Sequence, residues 1–252
     1  MRLPNAQIMN ADVPLARLDK INAELEQSGF VVVRGVIDTG AVEAARFVLD
    51  ATTTGQGLRA RKETTYAIRN LLDVVPELRS TIVDTIRHKL IGGLLSNQAF
   101  VNRAILFDKP AHGNWRVGWH QDCTIAVKQI TPVEDFGPWS TKSGVVHVKP
   151  PAWVLDGAIT ARVALDDCNE DNGALRVIQN SLRHGYHGAE AIKEVICQQE
   201  PATVTCQAGD VLLMKPLLLH ASHPARKPAH RRVIHLEFAD RPLPNPLCWH
   251  RA

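Results

Sequence analysis

Two ionisable residues sit one apart near the middle of the chain, His120 and Asp122 in "GWHQDCTIAV" (residues 118–127). The flanking residues read as a buried strand, in which positions i and i+2 share a face, so the imidazole and the carboxylate are expected to project together into the interior. Burying both is costly unless something compensates them. A metal ion does so; a salt bridge or a solvated edge strand are the alternatives. Mononuclear non-haem iron sites use two histidines and one carboxylate on one face, leaving positions open for reaction. The pair supplies one of each, and the third ligand must come from the other histidines among the 11 in the chain. His220 is the best placed. It ends the apolar run "GDVLLMKPLLLH", which starts on the turn signal Gly209-Asp210. Its plain alternative is a core histidine bonded to a backbone carbonyl. His223 is a rival, although in an extended segment it faces away from His220.

A second candidate group is "HRRVIHLEF". On a strand, Arg231 shares a face with Val233, His235 and Glu237, and Arg232 shares one with Ile234, Leu236 and Phe238. Whichever arginine points inward needs an anion, because an unpaired buried guanidinium is costly. Its planar fork fits a carboxylate with two hydrogen bonds. An internal salt bridge to Asp210 or Glu237 is the structural alternative, and the residues alone do not choose between the two arginines.

The elements that position these groups change character along the chain. "LARLDKINAELEQSG" has apolar residues at Leu15, Leu18, Ile21 and Leu25, a helical spacing that Gly29 ends. "FVVVRGV" (30–36) reads as a strand, and Asp38 is a candidate cap for a helix running towards Asp50. A third helical region covers 76–95 through Leu78, Ile82, Ile86 and Leu90. From Ala99 onward, "FVNRAILFD", "WHQDCTIAV", "ITARVALDD", "ALRVIQN", "ATVTCQ", "DVLLMK" and "RRVIHLEF" are short and rich in β-branched residues, with Gly, Pro, Asn and Asp between them. Helices followed by seven such runs predict a mainly β protein with N-terminal helices packed on an antiparallel sandwich or barrel.

Composition narrows the function. A net charge of +3 over 252 residues is too weak for a nucleic-acid surface. The densest basic run, "ARKPAHRR", has no aromatic residues interleaved. The five cysteines are odd in number, widely spaced and without a C-x-x-C pair, which argues against a disulfide framework. The N-terminal "MRLPNAQIMNADVP" lacks the apolar run of a signal peptide, no stretch approaches a membrane span, and "WHRA" is not the peroxisomal address. A cytoplasmic protein with a small-molecule substrate and neither nucleic-acid nor membrane partners is expected. Oligomeric state is not legible.

Taken together, "WHQD", "LDDCNEDNGALRVIQNSLRHG", "AGDVLLMKPLLLHASHP" and "RRVIHLEFA" resemble the phytanoyl-CoA dioxygenase family, over residues 100–240 and more faintly over the N-terminal part. The resemblance implies a double-stranded β-helix (a cupin-like jelly roll) forming a single domain over 1–252, with a largely helical part at 1–98 and a jelly-roll core at 99–240. It implies Fe(II) as the metal, 2-oxoglutarate as cosubstrate and O2 as oxidant. His120, Asp122 and His220 match the iron ligands, and Arg231 matches the arginine that anchors the distal carboxylate of 2-oxoglutarate. Ser222 matches a hydroxyl assisting there, and Trp139 an aromatic near the cosubstrate. Arg69 falls where such enzymes place a cation at the pocket. The loop "KQITPVEDFGPWSTKSGVVHVKPPAW" reads as a lid, with Lys142 and His147 as further candidate substrate contacts, or as a surface loop with its tryptophan packed down.

The family's "PGSH" is replaced by "QNSL" (179–182), read as structural. Related halogenases carry Gly or Ala where this chain has Asp122, so the resemblance implies hydroxylation with release of succinate and CO2. Another mononuclear metalloenzyme on a cupin-like barrel, or a non-catalytic metal-binding homologue, are the alternative readings.

Overall fold

The computed structural model describes residues 14–52, 57–61, 64–110 and 114–251. Its strands, in chain order, are β1 (Phe30–Val33), β2 (Leu58–Arg61), β3 (Thr64–Arg69), β4 (Phe100–Phe107), β5 (Val117–His120), β6 (Ile125–Val127), β7 (Trp139–Lys142), β8 (Val145–Val148), β9 (Ala158–Ala164), β10 (Leu175–Val177), β11 (Ala202–Val204), β12 (Val211–Met214), β13 (His220–Ser222) and β14 (Val233–Ala239). A seven-stranded sheet runs β1-β12-β9-β14-β4-β3-β2, and a four-stranded sheet runs β11-β10-β13-β5. All pairings are antiparallel within them. These two sheets make the expected jelly roll. A third, smaller sheet, β6-β8-β7, flanks them.

The N-terminal helices form for the reasons their sequence gives. Helix α1 (Leu15–Ser28) stops at Gly29, whose left-handed φ of 87° lets its N–H reach back to the Leu25 carbonyl. A side chain there would strike Leu182 at 2.5 Å. Helix α2 (Thr39–Asp50) is capped by Asp38, which accepts from the Ala41 N–H at 2.9 Å. The region around Ile82, Ile86 and Leu90 is helical but alternates π and α turns, from Arg79–Val83 to Gly92–Leu94.

One apolar core joins these helices to the large sheet. Leu25, Ile82, Ile86 and Leu90 are fully buried against Ala161, Val163, Leu213, Ile234 and Leu236. At about 1.5–3 kcal/mol for each fully buried aliphatic side chain, this interface fixes which face of each strand points outward to the helices. The opposite faces then point into the barrel: Arg103, Ile105 and Phe107 of β4, Arg162 of β9 and His235 of β14 all line an internal cavity. Strand alternation therefore delivers a polar interior inside an apolar shell.

Three differences from the sequence reading stand out. Besides the expected strand β1, the segment before residue 98 contributes β2 and β3 to the large sheet, so it is less helical than its sequence pattern predicts. Within the segment read as a loop, residues 139–148 form the β7–β8 hairpin, closed by Ser143 (φ 49°) and Gly144 (φ 81°), the two left-handed residues of a tight hairpin turn, while 128–138 are irregular. A helix, Ala189–Gln198, separates β10 and β11. The five cysteines are free, and no helix among the described residues is long and apolar enough to cross a membrane.

Candidate metal centre and its cavity

Strands β5 and β13 pair so that His120 lies directly opposite His220, with ring centroids 4.2 Å apart. β5 ends at His120, and Asp122 belongs to the turn that follows, where its N–H donates to the Pro216 carbonyl at 2.9 Å. The turn, rather than strand alternation, is what swings the carboxylate to the histidines. Asp122 Oδ2 lies 3.8 Å from His220 Nε2, and one ligand atom from each of the three residues lies within 4.8 Å of the others.

The donor chemistry fits a metal ion. His120 Nδ1 faces the Gly118 carbonyl at 2.8 Å, and His220 Nδ1 faces the Leu218 carbonyl at 2.9 Å. A carbonyl only accepts, so each Nδ1 carries the proton and each Nε2 keeps a free lone pair, the arrangement metal-binding histidines use. Burial pushes the His220 imidazole down to about 4, which keeps it neutral at ordinary pH. Asp122 Oδ2 is buried without a hydrogen-bond partner. Burial raises its carboxyl, but His220, His235 and Arg103 around it more than offset this and hold it below the usual carboxylate range. An ionised, orphaned oxygen facing imidazole lone pairs is a site shaped for a cation.

Gln121, between the two ligands, holds the turn. Its buried amide donates to the Gly185 and Leu217 carbonyls at 2.9 and 2.6 Å and accepts from the His187 N–H at 2.9 Å. Gln121→Leu removes all three bonds at once. Loss of such an outer support typically costs 10–100-fold in metal affinity, and an Fe(II) titration of the variant is expected to show a weakening of about that size. Unchanged affinity would mean the turn is held by other contacts.

A cavity of about 410 Å³ opens beside the ligands. At one end stands Arg231, 3% exposed. Its guanidinium donates to the Gly173 carbonyl at 2.8 Å, its Nε is buried without a partner, and no carboxylate lies in ion-pair reach among the described residues. Both suggested internal partners are engaged elsewhere, Asp210 by Arg34 and Glu237 by Arg103. Arg232 is the structural arginine, bonded to Asp166 at 2.9 and 3.1 Å and to Asp50 at 2.7 Å. Beside Arg231, the fully buried Lys109 donates to Ser222 Oγ at 3.0 Å and to the His223 carbonyl. Gly173 closes this end with φ 74°; a Cβ there would meet the His223 carbonyl at 2.5 Å and Lys109 Nζ at 3.0 Å.

Burial, reinforced by Arg231 and Arg162, pulls the Lys109 ammonium down to about 7. An anion bound between Lys109 and Arg231 favours the charged form and raises that value, so binding takes up a proton above pH 7 and weakens as pH rises past it. Calorimetry of 2-oxoglutarate binding at pH 8, in buffers of different ionisation enthalpy, is expected to show net proton uptake. Uptake absent at pH 8 would place Lys109 outside the binding event.

The remaining sequence candidates divide. Arg69 and Lys142 line the cavity. Trp139 does not: it packs with the apolar cluster of Ile125, Val127 and Val148, on the face of β7 opposite Lys142. His147 is also absent from the lining. It is buried on β8, its Nδ1 donating to the Val145 carbonyl at 3.0 Å and its Nε2 unpartnered. His223 turns away to Arg176, and the basic run at 225–232, Arg231 apart, is absorbed by Asp171, Asp108 and Asp166. Lys109, Arg162, Arg103 and Gln121 escaped the sequence reading, since a polar side chain buried by tertiary packing carries no periodic signal. In a second cluster of potential ligands, Asp122, His235 and Glu237, the last two are already engaged. Arg162 donates to His235 Nδ1 at 3.0 Å, His235 Nε2 donates to Glu237 at 3.0 Å, and Glu237 pairs with Arg103.

Two histidines and an aspartate on one face inside a double-stranded β-helix, with a cationic recess alongside, is the arrangement of the mononuclear non-haem iron oxygenases that use 2-oxoglutarate. The chain belongs to the phytanoyl-CoA dioxygenase (PhyH) family, whose model matches residues 25–233. A search of curated proteins finds no match. Among solved structures the chain is similar to EctD from S. alaskensis with bound Fe (18% identity, TM-score 0.67, covering 96% of this chain and 83% of that one). It is also similar to the epimerase SnoN in complex with Fe3+, alpha ketoglutarate and nogalamycin RO (19%, 0.63, 90% and 85%), and to the alpha ketoglutarate dependent carbocyclase SnoK from nogalamycin biosynthesis (17%, 0.64, 91% and 87%). At these identities the likeness is one of fold.

Proposed function

We propose that the protein is an Fe(II)- and 2-oxoglutarate-dependent dioxygenase that hydroxylates a C–H bond of a small molecule and releases succinate and CO2. The observation that carries this is the pairing, in one cavity, of an orphaned Asp122 carboxylate between imidazole lone pairs with an unpaired buried Arg231. His120, Asp122 and His220 hold the metal. Arg231, with Ser222 and Lys109, receives the distal carboxylate of 2-oxoglutarate. When bound, iron and 2-oxoglutarate together supply the oxidising power that turns O2 on a C–H bond. The chain's residues bind and orient: the carbonyls of Gly118 and Leu218 fix the imidazole tautomers, Gln121 fixes the ligand turn, and the apolar walls Ile105, Phe107 and Leu175 limit water. Asp122 fills the ligand position that halogenation requires to be vacant, which favours hydroxylation. The SnoN and SnoK folds serve an epimerase and a carbocyclase, so fold alone does not choose the outcome.

The metal identity is tested by loading the same apoprotein with Fe(II) or Zn(II) and measuring 2-oxoglutarate-derived succinate under air. Succinate from the Fe(II) form only is expected. Equal behaviour of the two forms would point to a zinc-type or non-catalytic site.

A further inference from the structure

The cavity is more cationic than its cofactor and cosubstrate need. Arg69, Arg103, Lys109, Lys142, Arg162 and Arg231 line it, against Asp122 as the lining acid and Glu237 behind. Iron brings two positive charges and 2-oxoglutarate two negative ones, so loading both leaves the excess in place.

The six cations form two separate groups. Arg231, Arg162 and Lys109 act on one another at the end reserved for 2-oxoglutarate. Arg69, Arg103 and Lys142 act on one another further back along β4, where Arg69 pairs with Ile105 and Arg103 with Glu237, whereas Arg231 lies two residues before Val233, the partner of Phe107 at the other end of that strand. Within that second group, Arg103 is neutralised by Glu237. Arg69 and Lys142 are not: among the described residues neither has a carboxylate within ion-pair reach, and Arg69 Nε is buried without a partner. Burial and then neighbouring arginines lower the pKa of both side chains, and for Lys142 the more distant Glu237 and Asp122 carboxylates offset this only in part.

The backbone holds the two side chains together. Asn70, left-handed with φ 53°, follows Arg69 at the end of β3, and its Nδ2 donates to the Ser143 carbonyl at 3.1 Å. Ser143 starts the tight turn directly after Lys142. One hydrogen bond thus ties the end of β3 to the hairpin that carries Lys142. Two converging, unpaired and partly buried cations are destabilising in the empty protein, and an anion relieves them.

We propose, resting on the reading of the metal centre given above, that the substrate is a small organic anion whose carboxylate or phosphoryl group docks between Arg69 and Lys142, at the end of the cavity away from Arg231. The two termini of the cavity then read two different anions: Arg231 takes the cosubstrate, and the Arg69–Lys142 pair holds the substrate with its reacting carbon towards the metal.

The test uses the Fe(II)-loaded protein, saturated with 2-oxoglutarate and kept anaerobic so that the Arg231 end is filled. Sulfate, standing for a phosphoryl group, and acetate, standing for a carboxylate, are each titrated by calorimetry into wild type and into an Arg69→Gln/Lys142→Gln double variant. Saturable binding of at least one anion to wild type, weakened at least about tenfold in the double variant, is the expected result. The stronger anion names the head group. No saturable binding by wild type, or equal binding by the variant, overturns the proposal. The variant's melting temperature checks folding, and removing two unpaired cations is expected to leave it unchanged or raise it. If that variant does not fold, Lys142→Gln alone, at the end of the β7–β8 hairpin, gives the same readout. Should wild type fail to bind 2-oxoglutarate in the loading step, the reading of the metal centre fails instead, which separates the two.

Discussion

Asp122→Ala is expected to abolish 2-oxoglutarate turnover while leaving the protein folded. Removing an outer-shell support of a metal ligand costs 10–100-fold, so losing the anionic ligand itself is expected to exceed about 100-fold in Fe(II) affinity and to take succinate release to background. The variant does not trade this against a folding defect. In the metal-free protein Asp122 Oδ2 is buried without a hydrogen bond, and the imidazole nitrogens nearest to it, His220 Nε2 and His235 Nε2, stand at 3.8 and 3.9 Å, beyond hydrogen-bond range. Circular dichroism and the melting temperature of the apoprotein are therefore expected to stay near wild type. Wild-type turnover in Asp122→Ala would remove the metal assignment. A collapse of the apoprotein fold would instead make Asp122 a structural residue.

Arg231→Met separates cosubstrate binding from stability in the opposite sense. Truncating one member of a buried charge pair costs about 3–5 kcal/mol, and each 1.4 kcal/mol is tenfold, so the KM for 2-oxoglutarate is expected to rise by about 10²-fold or more. The apoprotein should become no less stable, because a buried guanidinium without an ion-pair partner is replaced by an adaptable apolar chain. A second signature follows. Saturating 2-oxoglutarate raises the melting temperature of a protein that binds it only when folded, and that shift should be present in the iron-loaded wild type and nearly absent in Arg231→Met. A variant that melts early and binds 2-oxoglutarate normally would show that Arg231 serves the fold.

Much of this was legible from residue types and spacing, and the failures have physical causes. α1 and α2 were readable because Leu15, Leu18, Ile21 and Leu25 repeat at helical spacing and because Gly29 and Asp38 are the residues that termini require. His120 and Asp122 were found because two ionisable groups interrupt an apolar pattern. The reason given, a shared strand face, held only to His120, since the strand stops there and a turn does the rest. The choice between Arg231 and Arg232 was undecidable from alternation alone, because both faces of β14 are buried and only the partners, Asp166 and Asp50 for Arg232, distinguish them. β7 and β8 were missed behind the Pro and Gly residues of a segment that looked like a loop, and with them the opposed placement of Trp139 and Lys142. Lys109 and Arg162 gave no signal at all. A cation buried by tertiary packing is invisible until the packing is known.

The most decisive measurement is a spectroscopic titration that needs no substrate. Apoprotein is loaded with Fe(II) without oxygen, and 2-oxoglutarate is added while the weak visible charge-transfer band of iron-bound 2-oxoglutarate is followed. A saturable band is expected in wild type, absent in Asp122→Ala and displaced to far higher 2-oxoglutarate concentration in Arg231→Met. Metal bound with no band at any concentration would contradict the iron and 2-oxoglutarate site and return the cavity to a zinc-type or non-catalytic role.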